Sequence, residues 1–468
     1  MKFVLLWTDG LAWALVAACI AFAWIVHRHE HLLAPWRRVA HSATAMASVP
    51  VLCVFLLIGL ADSIHYRLAL EQVDKAAPAR YAVEVQSVLD ALLDQLRTAR
   101  ERTYSAPLAI HAYQKESIDQ ADGSTVRDYP SLLYAGLHLH SEAERTTDLV
   151  VRALSGAVIG LLIWGAIWLG TRARKAEQSR EQSPERTDAA WLSLAIILIG
   201  GAMIASCASG YHVFGTDRVG QDVLYLALKS IRTALVIGTL TTFVMLPFSL
   251  GLGIAAGYCK GWIDDGVQFI YTTLNSIPSV LLIAAAVLLM QVFIDTHPEL
   301  FQTLAERADL RLLFLCIILG LTSWTGLARL LRAEALKLRE LDYVLAARAL
   351  GVSSLRIMSS HVARNSMHLV VITLVTEFSS LVLAEAVLSY IGVGVDPSMN
   401  SFGTMINAAR LELSREPPVW WSLAAAFSFM FILVLAANLL ADAVRDAFDP
   451  RTATARIAPA ATQSGARR

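Results

Sequence analysis

Two carboxylates stand where carboxylates are costly. Glu377 and Glu385 fall inside the apolar run Leu369–Val395, eight residues apart, which places them on nearly one face of a helix. Ionisable side chains at bilayer depth face a pathway or a partner, so the pair could line a polar translocation route or relay protons. For Glu385 an interhelical hydrogen bond that holds the fold is the competing role. Asn275 and Pro278 mark a kink at the start of the run Ile277–Phe293 and are candidates for the same route. No catalytic residue is expected. Cys19, Cys53, Cys207, Cys259 and Cys316 lie in or beside apolar runs without a C-x-x-C pair, and read as small hydrophobes in helices rather than a metal or redox site. His361 has no ligand-type neighbours, so no metal is expected. Gly253-x-x-x-Gly257 reads as close helix contact, and no G-x-x-x-x-G-K-[ST] phosphate loop exists anywhere in the chain.

The elements that position these residues follow from composition. The chain has 468 residues, 56% of them apolar and 17% charged, with no net charge and a mean hydropathy of +0.53. A soluble protein carries about 25% charged residues. The apolar excess is clustered into nine runs: Leu11–His27, Ala47–Ala61, Val150–Gly170, Trp191–Ser209, Ala234–Tyr258, Ile277–Phe293, Leu312–Leu331, Leu369–Val395 and Trp420–Ala443. Most approach or exceed the roughly 18–20 residues that span a bilayer. The fold class is an all-α polytopic membrane protein with nine spans. Nucleic-acid binding, which needs a basic excess, is excluded. Val16-Ala17-Ala18-Cys19 has the look of a lipoprotein cleavage box, but Asp9 interrupts the apolar stretch before it and the run continues past it, so a retained helix is expected.

Positive charge sets the orientation, because short loops rich in Lys and Arg stay in the cytoplasm. With the N-terminus outside and the C-terminus inside, the inner segments 28–46, 171–189, 258–266, 329–366 and 443–468 carry 21 Lys and Arg against 8 in the short outer ones. Residues 63–149 become an extracytoplasmic domain. Val85, Leu89, Leu92 and Leu96 recur at helical spacing, which predicts an amphipathic helix over about 79–102 in a mostly helical spacer or packing module; turns are expected at Asp122-Gly123-Ser124 and Tyr129-Pro130. The polar stretch Glu177–Asp188 reads as a linker. The resulting division is 1–62 with two spans, 63–149 outside, 150–189 with a third span and linker, a six-helix core over 190–451, and a disordered tail over 452–468.

The longest inner segment, 329–366, is too short for a kinase, cyclase or ATPase, so any energy must come from a partner. Leu341–Leu350 is helix-prone and ends at Gly351, a residue suited to the left-handed position after a helix. Ser353 or Ser354 then starts a second short segment. Ala346 and Ala347 form a small face, making the loop a compact plug for a groove. Outside, Asp222 can cap the helix that follows it, and Asp217 or Asp222 could meet a binding protein.

Tyr343-Val344-Leu345-Ala346-Ala347-Arg348-Ala349-Leu350-Gly351, ahead of His361, resembles the coupling loop of ATP-binding cassette (ABC) importer permeases, most closely the C-type subunit of the dipeptide, oligopeptide and nickel importers. Four further stretches match in order: Gly215-Thr216-Asp217 with Gly220-Gln221-Asp222-Val223, Ala256–Asp264, Leu383–Val395 and Val444–Arg451. The resemblance covers roughly 190–451. It implies a type I importer core whose loop, with Asp342, Tyr343, Leu345, Ala346, Ala347, Arg348, Gly351 and His361, docks on an ATPase. It also implies an extracytoplasmic motif at Gly215, Thr216, Asp217, Gly220 and Asp222. The implied partners are a homologous B-type permease, two cytoplasmic ATP-binding subunits, a substrate-binding protein outside and membrane lipid; ATP and magnesium would sit in the ATPases, with no cofactor on this chain. Leu345 replaces the motif's acidic residue, Val362-Ala363-Arg364 replaces its I-L-P ending, and Gln221 replaces an Arg, which implies altered partner pairing. Residues 1–189 have no counterpart. A proton-coupled transporter using Glu377 and Glu385 explains no part of the loop, and a sensor reading ligands through 63–149 lacks an output domain.

Overall fold

The computed structural model describes residues 2–70, 81–119, 125–139, 142–178, 188–300 and 303–448. The turn at Asp122–Ser124, most of the linker and the tail lie outside the described residues. Among them, nine helices are long and apolar enough to cross a membrane. In chain order, strand β1 (Lys2–Val4) leads to α1 (Trp7–Arg28), α2 (Glu30–Ala40) and α3 (Ala43–Asp62). Strands β2 (His65–Arg67) and β3 (Gln86–Ser87), helices α4 (Val88–Leu92) and α5 (Asp94–Thr98), and the hairpin β4 (Glu116–Asp119) with β5 (Thr125–Asp128) follow. Then come α6 (Arg145–Gln178), α7 (Asp188–Ala208), α8 (Val223–Cys259), α9 (Trp262–Ser276), α10 (Ser279–Thr296) and α11 (Leu304–Leu338). The chain ends in α12 (Asp342–Ala349), α13 (Ser354–Ile357), α14 (Ala363–Ile391), α15 (Phe402–Glu412) and α16 (Trp421–Phe448).

The central pair is α8 and α11. A Cβ on Gly253 would lie 2.7 Å from the Ala328 carbonyl, and one on Gly257 would lie 2.5 Å from that of Arg332, so only glycine lets these backbones meet. Around them α14 packs on α8 and α16, and α10 packs on α11.

Three expectations need revision. The helix predicted over 79–102 is instead β3 followed by α4 and α5. Ser87 caps α4 with a reciprocal capping box to Asp90, which starts a helix in the middle of the apolar repeat. Leu92, expected on the apolar face, is 72% exposed. The region is thus a small mixed module: β2 pairs with both β1 and β3, tying the module to the chain's first residues. The division at 189/190 is not a division in packing either. Helix α7 packs on α6 and α3, and α3 itself lies against α8 and α16, so the extension inserts a helix into the bundle. Finally, the segment 329–366 is mostly helix: α11 runs to Leu338, α12 takes Asp342–Ala349, and helix resumes at Ser354. Val362-Ala363-Arg364 does not end a helix: a π-helical turn over Met358–Val362 carries α13 directly into α14.

Candidate functional site

At one end of the bundle, α12 is held by a single apolar knob. Val344 is 1% exposed and packs in a cluster with Leu331, Ala335, Leu338, Ile357 and Val362 from α11, α13 and the π turn; Ala347 leans on the same cluster. Tyr343 is held by Asn365, whose amide donates to its hydroxyl at 2.7 Å, and its ring lies 6.0 Å from that of His361. Gly351 at φ +79° lets the chain leave the helix in the left-handed region. The opposite face of α12 is open: Asp342, Leu345, Ala346, Arg348 and Leu350 are exposed, Leu350 at 84%. The two alanines expected to share a face are therefore split, Ala347 inward and Ala346 outward. Beneath the loop, Arg332 makes a two-pronged bond to Asp264 at 2.6 and 2.8 Å, and Arg339 donates to the Tyr258 carbonyl at 2.8 Å. The Arg332 hydrogen bonds hold the Asp264 carboxyl below its ordinary range against its burial. Helices α8, α9, α11, α12 and α14 are thereby joined at this end.

The candidate pathway residues do not form one site. Pro278 caps α10 at a break after α9; Asn275 is exposed and accepts from Thr325 at 3.3 Å. Glu385 is 1% exposed and accepts from Ser389 Oγ at 2.6 Å, beside Gly403 at the start of α15. That bond stays within α14, with the carboxylate set against the start of α15. Glu377 is half-buried and is bonded to Ser380 at 2.9 Å, with no bond to Glu385 among the described residues.

At the other end, the Gly215–Asp222 motif is covered by the chain's own residues 101–113. The Thr216 amide donates to the Ser105 carbonyl at 3.1 Å, the Ser105 amide donates to Thr216 Oγ1 at 2.6 Å, and the Glu101 amide donates to the Gly220 carbonyl at 2.9 Å. A side chain on Gly215 would collide with the Ser105 carbonyl, and one on Gly220 with that of Glu101. Asp222 caps α8, accepting from the amides of Leu224 and Tyr225 at 2.8 and 3.2 Å. It also bonds His212 at 2.7 Å, whose other ring nitrogen faces Glu101 at 3.4 Å. Burial would lower His212, but the bonds and charges of Asp222 and Glu101 push it up to about 9. Burial opposes ionisation of Glu101, yet His212 and the amides of Leu133, Tyr134 and Ala135 hold it below its ordinary value. Asp217 is half-buried and accepts from the Val219 and Gln221 amides at 2.9 and 2.8 Å, while burial raises it. Thr216 and Asp222 are fully buried, so neither is presented to an external protein.

This architecture can be set beside known proteins. Residues 249–454 match the model of the binding-protein-dependent transport system inner membrane component. The oligopeptide transport system permease protein of Mycobacterium tuberculosis is 29% identical over 245 residues, 52% of this chain and 78% of the relative. The dipeptide permease of Alkalihalophilus pseudofirmus is 30% identical, covering 52% of this chain and 73% of the relative. For the glutathione permease GsiD of Pectobacterium atrosepticum the values are 30%, 52% and 74%. The chain belongs to this permease family. It is a multi-pass inner-membrane permease of an ABC importer with a long N-terminal extension.

The permease holds functional groups that the sequence reading missed. Lys229 and Arg232, on one face of α8, bond across to the extension: Lys229 Nζ to Asp62 at 2.6 Å and Asp90 at 3.1 Å, Arg232 to Asp9 at 2.6 Å. Asp309 accepts from the Thr8 amide at 3.0 Å and from its hydroxyl. The available signal was charge beside apolar runs, since Lys229, Arg232 and Asp309 stand just outside the runs expected to span.

Proposed function

We propose that this permease carries short peptides into the cell and does so without hydrolysing anything itself. ATP and magnesium are bound by two partner ATPases, a homologous B-type permease completes the pathway, and an extracytoplasmic binding protein delivers the solute. The N-terminus and the Gly215–Asp222 end face outward and α12 and the C-terminus face the cytoplasm, a reading supported by the excess of Lys and Arg in the segments on the α12 side. The observation that carries the reading is the half-docked α12: Val344 and Ala347 grip the core while Leu345, Ala346 and Leu350 are left open. A helix fixed on one side and apolar on the other transmits displacement from whatever seats on its open face. ATP binding, by favouring one ATPase arrangement over the other, then shifts the permease between its two states. The peptide substrate is supported by the relatives, whose names specify oligopeptides, dipeptides and glutathione.

The test is ATP-driven dipeptide uptake into vesicles holding the full complex. Ala346→Glu, on the open face, should abolish uptake with the core helices intact, and Gly351→Pro should do the same by spoiling the end of α12. Normal uptake by both variants, or uptake without any ATPase, would overturn the reading.

A further inference from the structure

Where the extension meets the core there is a cavity of about 570 Å³, within the size range of small-solute sites. Its walls hold three buried charged side chains, Arg232, Asp62 and Asp309, and the first two, of opposite sign, each have a bonding atom to spare. Arg232 is 5% exposed. Its Nε and Nη2 donate to Asp9 at 3.1 and 2.6 Å, and Nη2 also donates to Thr8 at 3.0 Å and reaches Asp309 at 3.5 Å. Among the described residues its Nη1 donates to nothing. Asp62 is 3% exposed. Its Oδ1 accepts from Lys229 Nζ and Ser87 Oγ, both at 2.6 Å, while Oδ2 accepts from nothing among the described residues. Lys229 has no spare hydrogen: Asp62, Ser87 and Asp90 take all three.

Both residues line the cavity and neither atom is closed off from solvent there, so a ligand that reaches them replaces water with a charged partner. A guanidinium N–H takes a carboxylate and a carboxylate oxygen takes an ammonium, each as a charge-assisted bond. The lining includes two large apolar side chains that stand open to solvent, Val83 at 80% and Leu304 at 79% exposure. Asp62 and Val83 come from the extension, Arg232 and Leu304 from the core, so neither part holds the site alone.

We propose that this cavity is a binding site for a small zwitterion with apolar side groups, a short peptide with free ends, its carboxylate on Arg232 Nη1 and its ammonium on Asp62 Oδ2. Naming the zwitterion a peptide rests on the transport reading above; the charge chemistry does not. The site would assign the extension a task, building one wall of a solute-holding vestibule apart from α14, which carries Glu377 and Glu385.

Titration calorimetry on the full-length permease in lipid nanodiscs tests this with alanyl-alanine, its N-acetyl form and its C-terminal amide. The expected result is saturable binding of alanyl-alanine that weakens about tenfold or more when either end is blocked, as loss of one charge-assisted bond requires. Asp62→Asn should weaken alanyl-alanine while narrowing its advantage over the N-acetyl form. Val83→Trp, which crowds the cavity and leaves every charge in place, should abolish binding, and it keeps the test decisive if Asp62→Asn does not fold. Equal affinity for the blocked forms, no binding of alanyl-alanine, or full affinity in Val83→Trp would overturn the proposal. ATPase co-purification, scored on the same preparations, separates the two readings. ATPase capture without peptide binding defeats only the vestibule, and peptide binding without ATPase capture defeats only the transport reading.

Discussion

The two ends of the permease are held together by different chemistry. At the α12 end an apolar knob is pressed into an apolar cluster, and half of the helix is left uncovered. At the extension end the contact is closed within the chain, through buried ion pairs, a histidine between two carboxylates and backbone hydrogen bonds to the Gly215–Asp222 loop. The contrast shows which end has surface to offer. Apolar area left open is available to a protein partner, whereas at the extension end the atoms left to spare, on Arg232 and Asp62, face a small cavity. The extension is bonded to α8 and α11 at one end through Arg232 and Asp309, and it also packs on α14 and the end of α16 through Val39 and Ala45.

The largest effect should come from breaking the polar end. Arg232→Met leaves Asp309 buried without its cation and Asp9 with His65 alone, which should cost about 3–5 kcal/mol and appear as a large fall in thermal midpoint in detergent. A residual effect under 1 kcal/mol would mean the two carboxylates find other partners. Gly220→Ala comes next: its φ of +74° and the Glu101 carbonyl leave no room for a methyl, so about 2–3 kcal/mol should be lost. Hydrogen exchange of residues 101–113 should speed up while that of α12 stays unchanged.

Alkali gives a gentler version of the same break. His212 titrates near 9 in the folded permease against an ordinary 6.5. Its raised value means a contribution that is complete below 6.5 and is lost as pH rises through about 9. Proteolysis within 101–113 should therefore rise across that window in the wild type, and lose its pH dependence there in His212→Gln. The smallest effect should be at the other end. Tyr343→Phe removes the bond from Asn365 and should cost about 1 kcal/mol, lowering ATP-driven uptake by partial uncoupling without altering exchange at 101–113.

The division between what was legible in the sequence and what was not follows the same contrast. Apolar runs of spanning length predict nine helices because periodicity is not needed once the solvent is lipid, and nine are found among the described residues. The end of α12 at Gly351 was legible because one residue type suits a left-handed turn. The partition of Ala346 from Ala347 was not, since adjacent residues on a two-turn helix cannot be assigned to faces until α11 and the π turn are placed. The module that follows α3 departs from expectation because Leu89 and Leu96 repeat helically, while a capping box at Ser87 and Asp90 decides where the helix begins. Pairings such as Asp9 with Arg232, 223 residues apart, leave no local mark beyond an acid in an apolar run.

The most direct test of the central claim is cross-linking from single cysteines placed on α12 in the full complex, with the native cysteines replaced. A cysteine at position 346 or 350 should cross-link to the ATPase, with a yield that changes when ATP is added, and one at position 347 should not. Equal cross-linking from 346 and 347, or none from 346 and 350 in a complex that hydrolyses ATP and transports peptide, would contradict the account.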